Sequence, residues 1–399
     1  MLGTISLFVR RPQATAFRSV VFQIHLWSGL VLGLYALATG LTGSVLVFEP
    51  ELQANAYPQY FKIADAGAPL ADPEVVLGHV EQAYPGFRVS SVNWPTAQRN
   101  SFVSYPSKGG ATRTVFAHPY SGRVLGELPD EGLPYWIREL HVYLLTGRGG
   151  LRANGIAAGC LVFVCLAGLI LWWPGVVRWT RALFIDVTRG WRRMVFDTHS
   201  AVGFWTAALL LMWAVTGVYL TFSQEFRRGI AVVSPLTVRT RPPLSDPGRA
   251  NRTPPPDPAA LVQRALVEVP GSKAARYTRP SRDADPVVVL VARDDVGDRV
   301  TNDEVSVYFD RYSGDLLDVR PERGTTAGDF LMVWLFPLHA GWFGGLAVKI
   351  LWAVLGLAFP VMFITGAVMW WNRVLSPAIM PSTRGYSLET TLPPQTDAQ

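Results

Sequence analysis

The chain has little of three things: cysteine, histidine and charge. Two cysteines occur in 399 residues, Cys160 and Cys165. They sit five apart in one apolar run, so on a helix they do not face each other, and they read as small apolar filler. No C-x-x-C-H occurs, which excludes covalent attachment of a c-type haem. Charged residues make up 17% of the chain and hydrophobic ones 49%, too apolar a balance for an ordinary soluble protein. No nucleic-acid-binding motif accompanies the net charge of +6. No acidic residue lies inside the long apolar runs, which argues against a metal or proton carrier; Glu49 and Glu51 stand only at the mouth of one.

What is present is four uncharged runs, 26–48, 153–173, 200–223 and 350–371. Each has the roughly 20 residues a helix needs to cross a ~30 Å hydrocarbon core. Arg10, Arg11 and Arg18 precede the first run, and Arg178, Arg181, Arg189, Arg192 and Arg193 crowd the loop between the second and third. Positive-inside logic places both termini and that loop in the cytoplasm, with the long polar segments outside. The first run has no small-residue cleavage site and reads as a retained helix. The expected division is a cytoplasmic N-terminus 1–17, spans 18–49, 151–174, 196–223 and 346–372, outward α+β modules 50–131 and 224–329, interfacial segments 132–150 and 330–345, a basic loop 175–195 and a cytoplasmic tail 373–399.

The chain is also one unit written twice. A shift of 174 lays His199 on His25, Gly203 on Gly29, Thr216-Gly217 on Thr42-Gly43 and Glu225 on Glu51. Asp72-Pro73 and Asp257-Pro258 each open a helical run that closes 13 residues later at Pro85-Gly86 and Pro270-Gly271. Alternating strands are expected at 88–94, 101–105 and 112–117, and again at 275–278, 287–292 and 304–309. Each copy then reaches a Tyr-Ser-Gly turn, Tyr120-Ser121-Gly122 or Tyr312-Ser313-Gly314, that starts a hairpin. A shift of 198 lays Leu338-His339 on Leu140-His141, Gly366 on Gly168 and Trp370-Trp371 on Trp172-Trp173, without a gap. Each half starts and ends inside, so a pseudo-twofold along the membrane normal is expected to relate them. The uncharged segment 330–348 holds Pro337, Gly341, Gly344 and Gly345 and reads as interfacial or re-entrant, not as a fifth span.

Four spans, two outward modules, His25-Leu26-Trp27-Ser28-Gly29-Leu30, the two Tyr-Ser-Gly turns and Leu140-His141 together resemble the PepSY-associated transmembrane proteins. The resemblance covers about residues 18 to 373. It implies a bacterial inner-membrane protein of iron uptake, similar to di-haem ferrisiderophore reductases that reduce siderophore-bound Fe(III) on the periplasmic side. Some relatives carry a C-terminal flavin and NADPH domain. Here no G-x-G-x-x-G fingerprint sits between a strand and a helix, so the electron donor is expected to be a quinol or a separate cytoplasmic reductase.

The histidines carry the chemistry. Bis-imidazole ligation of a b-type haem favours electron transfer over oxygen chemistry. His25 and His199 are expected to ligate one haem at the inner side, and His141 and His339 a second at the outer edge, giving two haem b. No other residue is expected to be catalytic. Gly29 and Gly203, one turn after their histidines, leave room for a flat macrocycle, or for close helix packing. Arg148, Arg152 and Lys349 flank the outer pair, as propionate partners or as snorkelling anchors. Trp136, Tyr143, Trp334 and Trp342 line a substrate face or an aromatic belt. His79 and His118 are expected to be surface or structural. The rival reading is a haem-free membrane protein whose PepSY-like modules bind or regulate a partner.

Overall fold

The computed structural model describes residues 16–64, 66–176, 179–238, 240–249, 256–293 and 304–376. Arg10, Arg11 and Arg178, and the tail beyond residue 376, lie outside the described residues. The chain divides into two compact units, one of residues 1–41, 159–214 and 355–399, the other of 42–158 and 215–354.

Copy one begins with α1 (Ala16–Leu46), followed by the short helices α2 (Glu49–Ala56) and α3 (Pro58–Phe61). Next come α4 (Pro73–Ala83), β1 (Ser91–Asn93), β2 (Phe102–Ser104), β3 (Ser107–Lys108), β4 (Ala111–Thr112), β5 (Val115–Ala117) and β6 (Val124–Glu127). The copy closes with α5 (Leu133–Tyr143) and α6 (Gly147–Trp172). Copy two runs α7 (Trp191–Thr221), α8 (Ser223–Val233), α9 (Pro258–Glu268), β7 (Lys273–Thr278), β8 (Val287–Ala292), β9 (Glu304–Phe309), β10 (Leu316–Pro321), α10 (Ala327–Ala340), α11 (Gly345–Gly356) and α12 (Ala358–Trp370). Among the described residues four helices are long and apolar enough to cross a membrane: α1, α6, α7, and the stretch Gly345–Leu375. As expected, 330–348 is not one of them.

The fourth span is not one continuous α-helix. It breaks at Leu357, between α11 and α12, and ends in a π turn, Trp371–Leu375. Pro360 supplies the reason: it has no N–H to give the carbonyl of Gly356 four residues earlier. Gly40 of α1 packs into that break. A Cβ there would lie 2.9 Å from Pro360 Cδ and 3.1 Å from the Gly356 oxygen. Small residues at such a crossing let the backbones approach.

In the unit of residues 42–158 and 215–354, eight of the ten described strands form one antiparallel sheet, ordered β10-β9-β8-β7-β1-β2-β5-β6, and β3 pairs with β4 apart from it. Both expected modules, 50–131 and 224–329, contribute strands to this sheet. The first strands of the two copies, β1 and β7, pair antiparallel, with Val92 opposite Tyr277, so the copies share one sheet. The strand expected at 112–117 is interrupted: β4 turns back on β3, and only 115–117 join the main sheet. α4 and α9 cover one face. Each starts as the sequence indicated, with Asp72 accepting from the Glu74 N–H at 2.8 Å and Asp257 from the Ala259 N–H at 3.1 Å. Val76, Leu77 and Val80 of α4 and Leu261, Val262 and Ala265 of α9 are buried against Val92, Phe102, Val289, Val307 and Phe309. Strand alternation sends Val103 and Phe116 to the opposite face, under Phe61, Tyr57 and Tyr60.

Candidate functional site

The four singled-out histidines meet as two couples. His25 on α1 and His199 on α7 have ring centres 6.4 Å apart, with planes at 77°. His141 at the end of α5 and His339 at the end of α10 have ring centres 6.2 Å apart, with planes at 62°. An iron with an imidazole nitrogen about 2 Å away on either side needs ring centres about 6 Å apart. Both couples meet that requirement, and each lies within one unit.

Every one of these rings is oriented through Nδ1. His25 Nδ1 lies 3.1 Å from the carbonyl of Val164, and a carbonyl can only accept, so Nδ1 carries the proton and Nε2 keeps its lone pair. His199 Nδ1 lies 2.9 Å from Thr365 Oγ1. That hydroxyl donates to the carbonyl of Val361 at 2.6 Å, so it accepts from His199. The tautomer is again the one with Nε2 bare. His141 Nδ1 lies 3.0 Å from Thr42 Oγ1 and His339 Nδ1 lies 2.7 Å from Thr216 Oγ1. A ligating histidine held through its second nitrogen is the usual outer-shell arrangement around a bound metal. Burial, with His141 beside it, pushes His339 down to about 3, so its imidazole is neutral and able to ligate at ordinary pH.

The four hydrogen bonds follow the repeat, with one exception. Thr42 and Thr216 are equivalent, as are His141 and His339. Thr365 falls opposite Ala167 in copy one, which has no hydroxyl. The helix carbonyl is common to both copies, since His199 also bonds the carbonyl of Met362, which falls on Val164 in the repeat, and Thr365 is an addition in copy two. Val164 is also where the sequence gives no sign of a role, since any residue supplies that oxygen.

Three glycines sit against the rings. A Cβ on Gly168 would lie 3.1 Å from His25 Cε1, on Gly366 3.3 Å from His199 Cε1, and on Gly43 2.9 Å from His141 Cε1. Gly168 and Gly366 are a repeat pair, and Gly43 adjoins Thr42. All were visible in the repeat without a stated task. Gly29 and Gly203, expected to make room for a cofactor, both line a cavity of about 900 Å³ walled also by His25 and His199. Gly29 faces open space, whereas a Cβ on Gly203 would meet the methyl end of Met362 at 2.8 Å. The cavity is within the range that holds cofactor-sized ligands. Trp370 is part of its wall, and the Trp370 indole N–H is buried without a hydrogen-bond partner. An orphaned donor of this kind suits a cavity built for a ligand with acceptor atoms.

The remaining candidates are elsewhere. Arg148 and Arg152 are exposed near the start of α6. Lys349 is buried and bound to Glu51, Nζ to Oε1 2.5 Å, over the Trp342 ring, so its charge is already compensated. Trp342 donates to the Val47 carbonyl at 2.8 Å, and Trp136 is exposed. His118 accepts from the N–H groups of Tyr120 and Ser121, at 3.3 and 3.4 Å, and so organises its own turn. His79 lies on α4 with Nδ1 buried and unpartnered. Among the described residues no group of three or more His, Cys, Asp or Glu is arranged to hold a metal ion.

Residues 22–373 match the family described as the PepSY-associated TM region. The chain belongs to that family. The match takes in all four spans, the shared sheet and both histidine couples. No curated protein matches the chain. As a PepSY-associated TM protein it is a membrane protein, with an antiparallel sheet between its first and last spans.

Proposed function

We propose that this PepSY-associated TM protein is a b-type di-haem reductase of the bacterial inner membrane, moving electrons from a donor on the cytoplasmic side to a ferric siderophore in the periplasm. One observation carries the reading: two histidine couples, each with ring centres just over 6 Å apart and each ring anchored through Nδ1. Two haem b, one per couple, supply reversible one-electron storage. His25 and His199 hold the first, beside Gly168, Gly366 and the cavity; His141 and His339 hold the second, beside Gly43. The chain's own part is to fix each ring's tautomer, to keep water from the iron, and to leave helix surfaces flat where the macrocycle lies. Two histidines on one haem would suit electron transfer over oxygen chemistry. His25 lies early in α1, and Thr42, which orients His141, lies in its last turns, so a single helix serves both couples. The pairing of β1 with β7 at the centre of the sheet fits a pseudo-twofold relating the copies, along the membrane normal. The termini would face the cytoplasm and the sheet the periplasm. The donor is a quinol or a cytoplasmic reductase.

The test is the redox difference spectrum of the purified full-length chain. We expect a b-type, low-spin bis-histidine spectrum with two haems per chain, reduced by dithionite and reoxidised by a ferric siderophore. Alanine at His141 or His339 should remove one haem and leave the other. Colourless protein, or haem content unchanged in all four single alanine variants, would leave the rival reading of a haem-free partner-binding protein.

A further inference from the structure

Three arginines line the His25–His199 cavity: Arg18, Arg192 and Arg373. Among the described residues none of them is ion-paired to a carboxylate. Elsewhere in the chain arginines commonly find one, as Arg193 does with Asp197 at 2.8 Å and Arg249 with Asp315 at 2.6 Å. Two of the three are repeat partners. Arg18 precedes His25 by seven residues on α1, and Arg192 precedes His199 by seven on α7. Seven residues are two turns, about 10 Å of rise, so each guanidinium stands on its histidine's helix face two turns away.

Arg18 is half-buried, while Arg192, over the Trp191 ring, and Arg373 are exposed at the rim of the cavity. Arg18 donates to the carbonyls of Ile170 and Trp173, at 3.3 and 3.2 Å, and to that of Leu171, which ties it to the end of α6. Arg373 lies over the Phe22 ring, 4.4 Å from its centre. A guanidinium has five donors, so these contacts leave others for a ligand. The unpartnered Trp370 indole belongs to the same wall. Three guanidiniums without a carboxylate partner and an orphaned donor around one largely apolar cavity suit an anion with several oxygens.

We infer that Arg18, Arg192 and Arg373 form a carboxylate clamp, which holds the two propionates of the macrocycle bound between His25 and His199 and so fixes the edge by which it enters. This rests on the haem reading above. Arg18 and Arg192, near the starts of α1 and α7, and Arg373 would hold the propionate carboxylates. Bidentate arginine–carboxylate pairs have the geometry and strength for this task.

The experiment uses the full chain carrying His339→Ala, expressed with restricted haem supply, so that loading is confined to the first couple. It is titrated in detergent with ferric protoporphyrin IX and, separately, with its dimethyl ester, following the Soret band. The unsubstituted clamp should bind the diacid about tenfold or more tightly than the ester. R192L and R373L together should erase most of that preference while leaving ester binding unchanged. Neither of these arginines is bonded to the backbone in the way Arg18 is, so folding is not at risk in that pair. R192K, which keeps the charge, should restore part of the preference. Equal binding of diacid and ester by the unsubstituted clamp, or an R192L/R373L chain that still prefers the diacid, would overturn the clamp and leave the haem reading standing. No Soret band with either probe would overturn both.

Discussion

His199 is held by the hydroxyl of Thr365 and by the carbonyl of Met362. Thr365 accepts from Nδ1–H because its own proton is already given to Val361. Thr365→Val keeps the volume and removes the acceptor. Loss of such an outer partner typically weakens metal binding about 10- to 100-fold. We therefore expect faster haem loss from the first couple, read as transfer to an apo-globin acceptor, with the second couple unaffected. Gly43 gives a complementary test. A methyl there would lie 2.9 Å from His141 Cε1, so Gly43→Ala must displace the ring or the helix. Overpacking costs about 1–3 kcal/mol. The expected result is loss or distortion of the second haem's low-spin spectrum with the first retained. A normal two-haem spectrum would show that the ring has room to move. Thr42, Thr216, Gly43, Gly168 and Gly366 were all legible as repeat positions. Their tasks were not, because each acts on a ring carried by a different helix.

At the scale of the element, α10 presents His339 and is held at its start by a capping box. Thr326 Oγ1 accepts from the Asp329 N–H at 3.1 Å, and the Asp329 carboxylate takes the Thr326 N–H in return. Asp329 also accepts from the hydroxyl of Thr237 at 2.6 Å, which docks the preceding loop. Burial alone would raise its carboxyl, but hydrogen bonds from Thr237 and Thr326 outweigh burial and hold it at about 2. A carboxyl depressed in the folded state stabilises that state at pH values above its ordinary range. The contribution is lost as pH falls from about 4 to about 2. Thermal denaturation in detergent should therefore show a stability loss across that window that is smaller in Asp329→Asn. Thr326→Ala should cost about 1 kcal/mol at neutral pH. The capping signal Thr-x-x-Asp was in the sequence, although the reading of 330–348 as interfacial rested on its proline and glycines. Pro337 is accommodated inside α10, and the helix ends at Gly341, whose φ of +72° is the left-handed conformation a glycine adopts freely.

At the scale of the whole molecule, the joined sheet is what the sequence did not reveal. Tyr277 of β7 donates to Glu74 of α4 at 3.0 Å, and Arg279 reaches Glu74 and Glu81 at 3.6 and 3.0 Å, so copy two is bonded into the helix of copy one. The two halves of the sheet should therefore unfold in one calorimetric transition, where separate modules would give two. Val92→Asp, at the fully buried junction of β1 with β7, should cost about 3 kcal/mol or more and destabilise both halves together. A variant in which only copy one melts early would contradict a shared sheet.

Composition and the period of the repeat determined, by themselves, four apolar runs of spanning length, a sequence pattern written twice, and four of six histidines at repeat-equivalent positions. Those properties are local or statistical: apolar length, cap residues and fixed offsets all survive without knowledge of contacts. Tertiary structure alone decided the spacing of each couple, just over 6 Å between ring centres, the hydroxyls and carbonyls that hold each ring, and that strands of both copies join one sheet. Each of these joins residues more than a hundred positions apart. Which helix faces which, and which strand edge finds a partner, is set by packing between elements and not by any one element's residues.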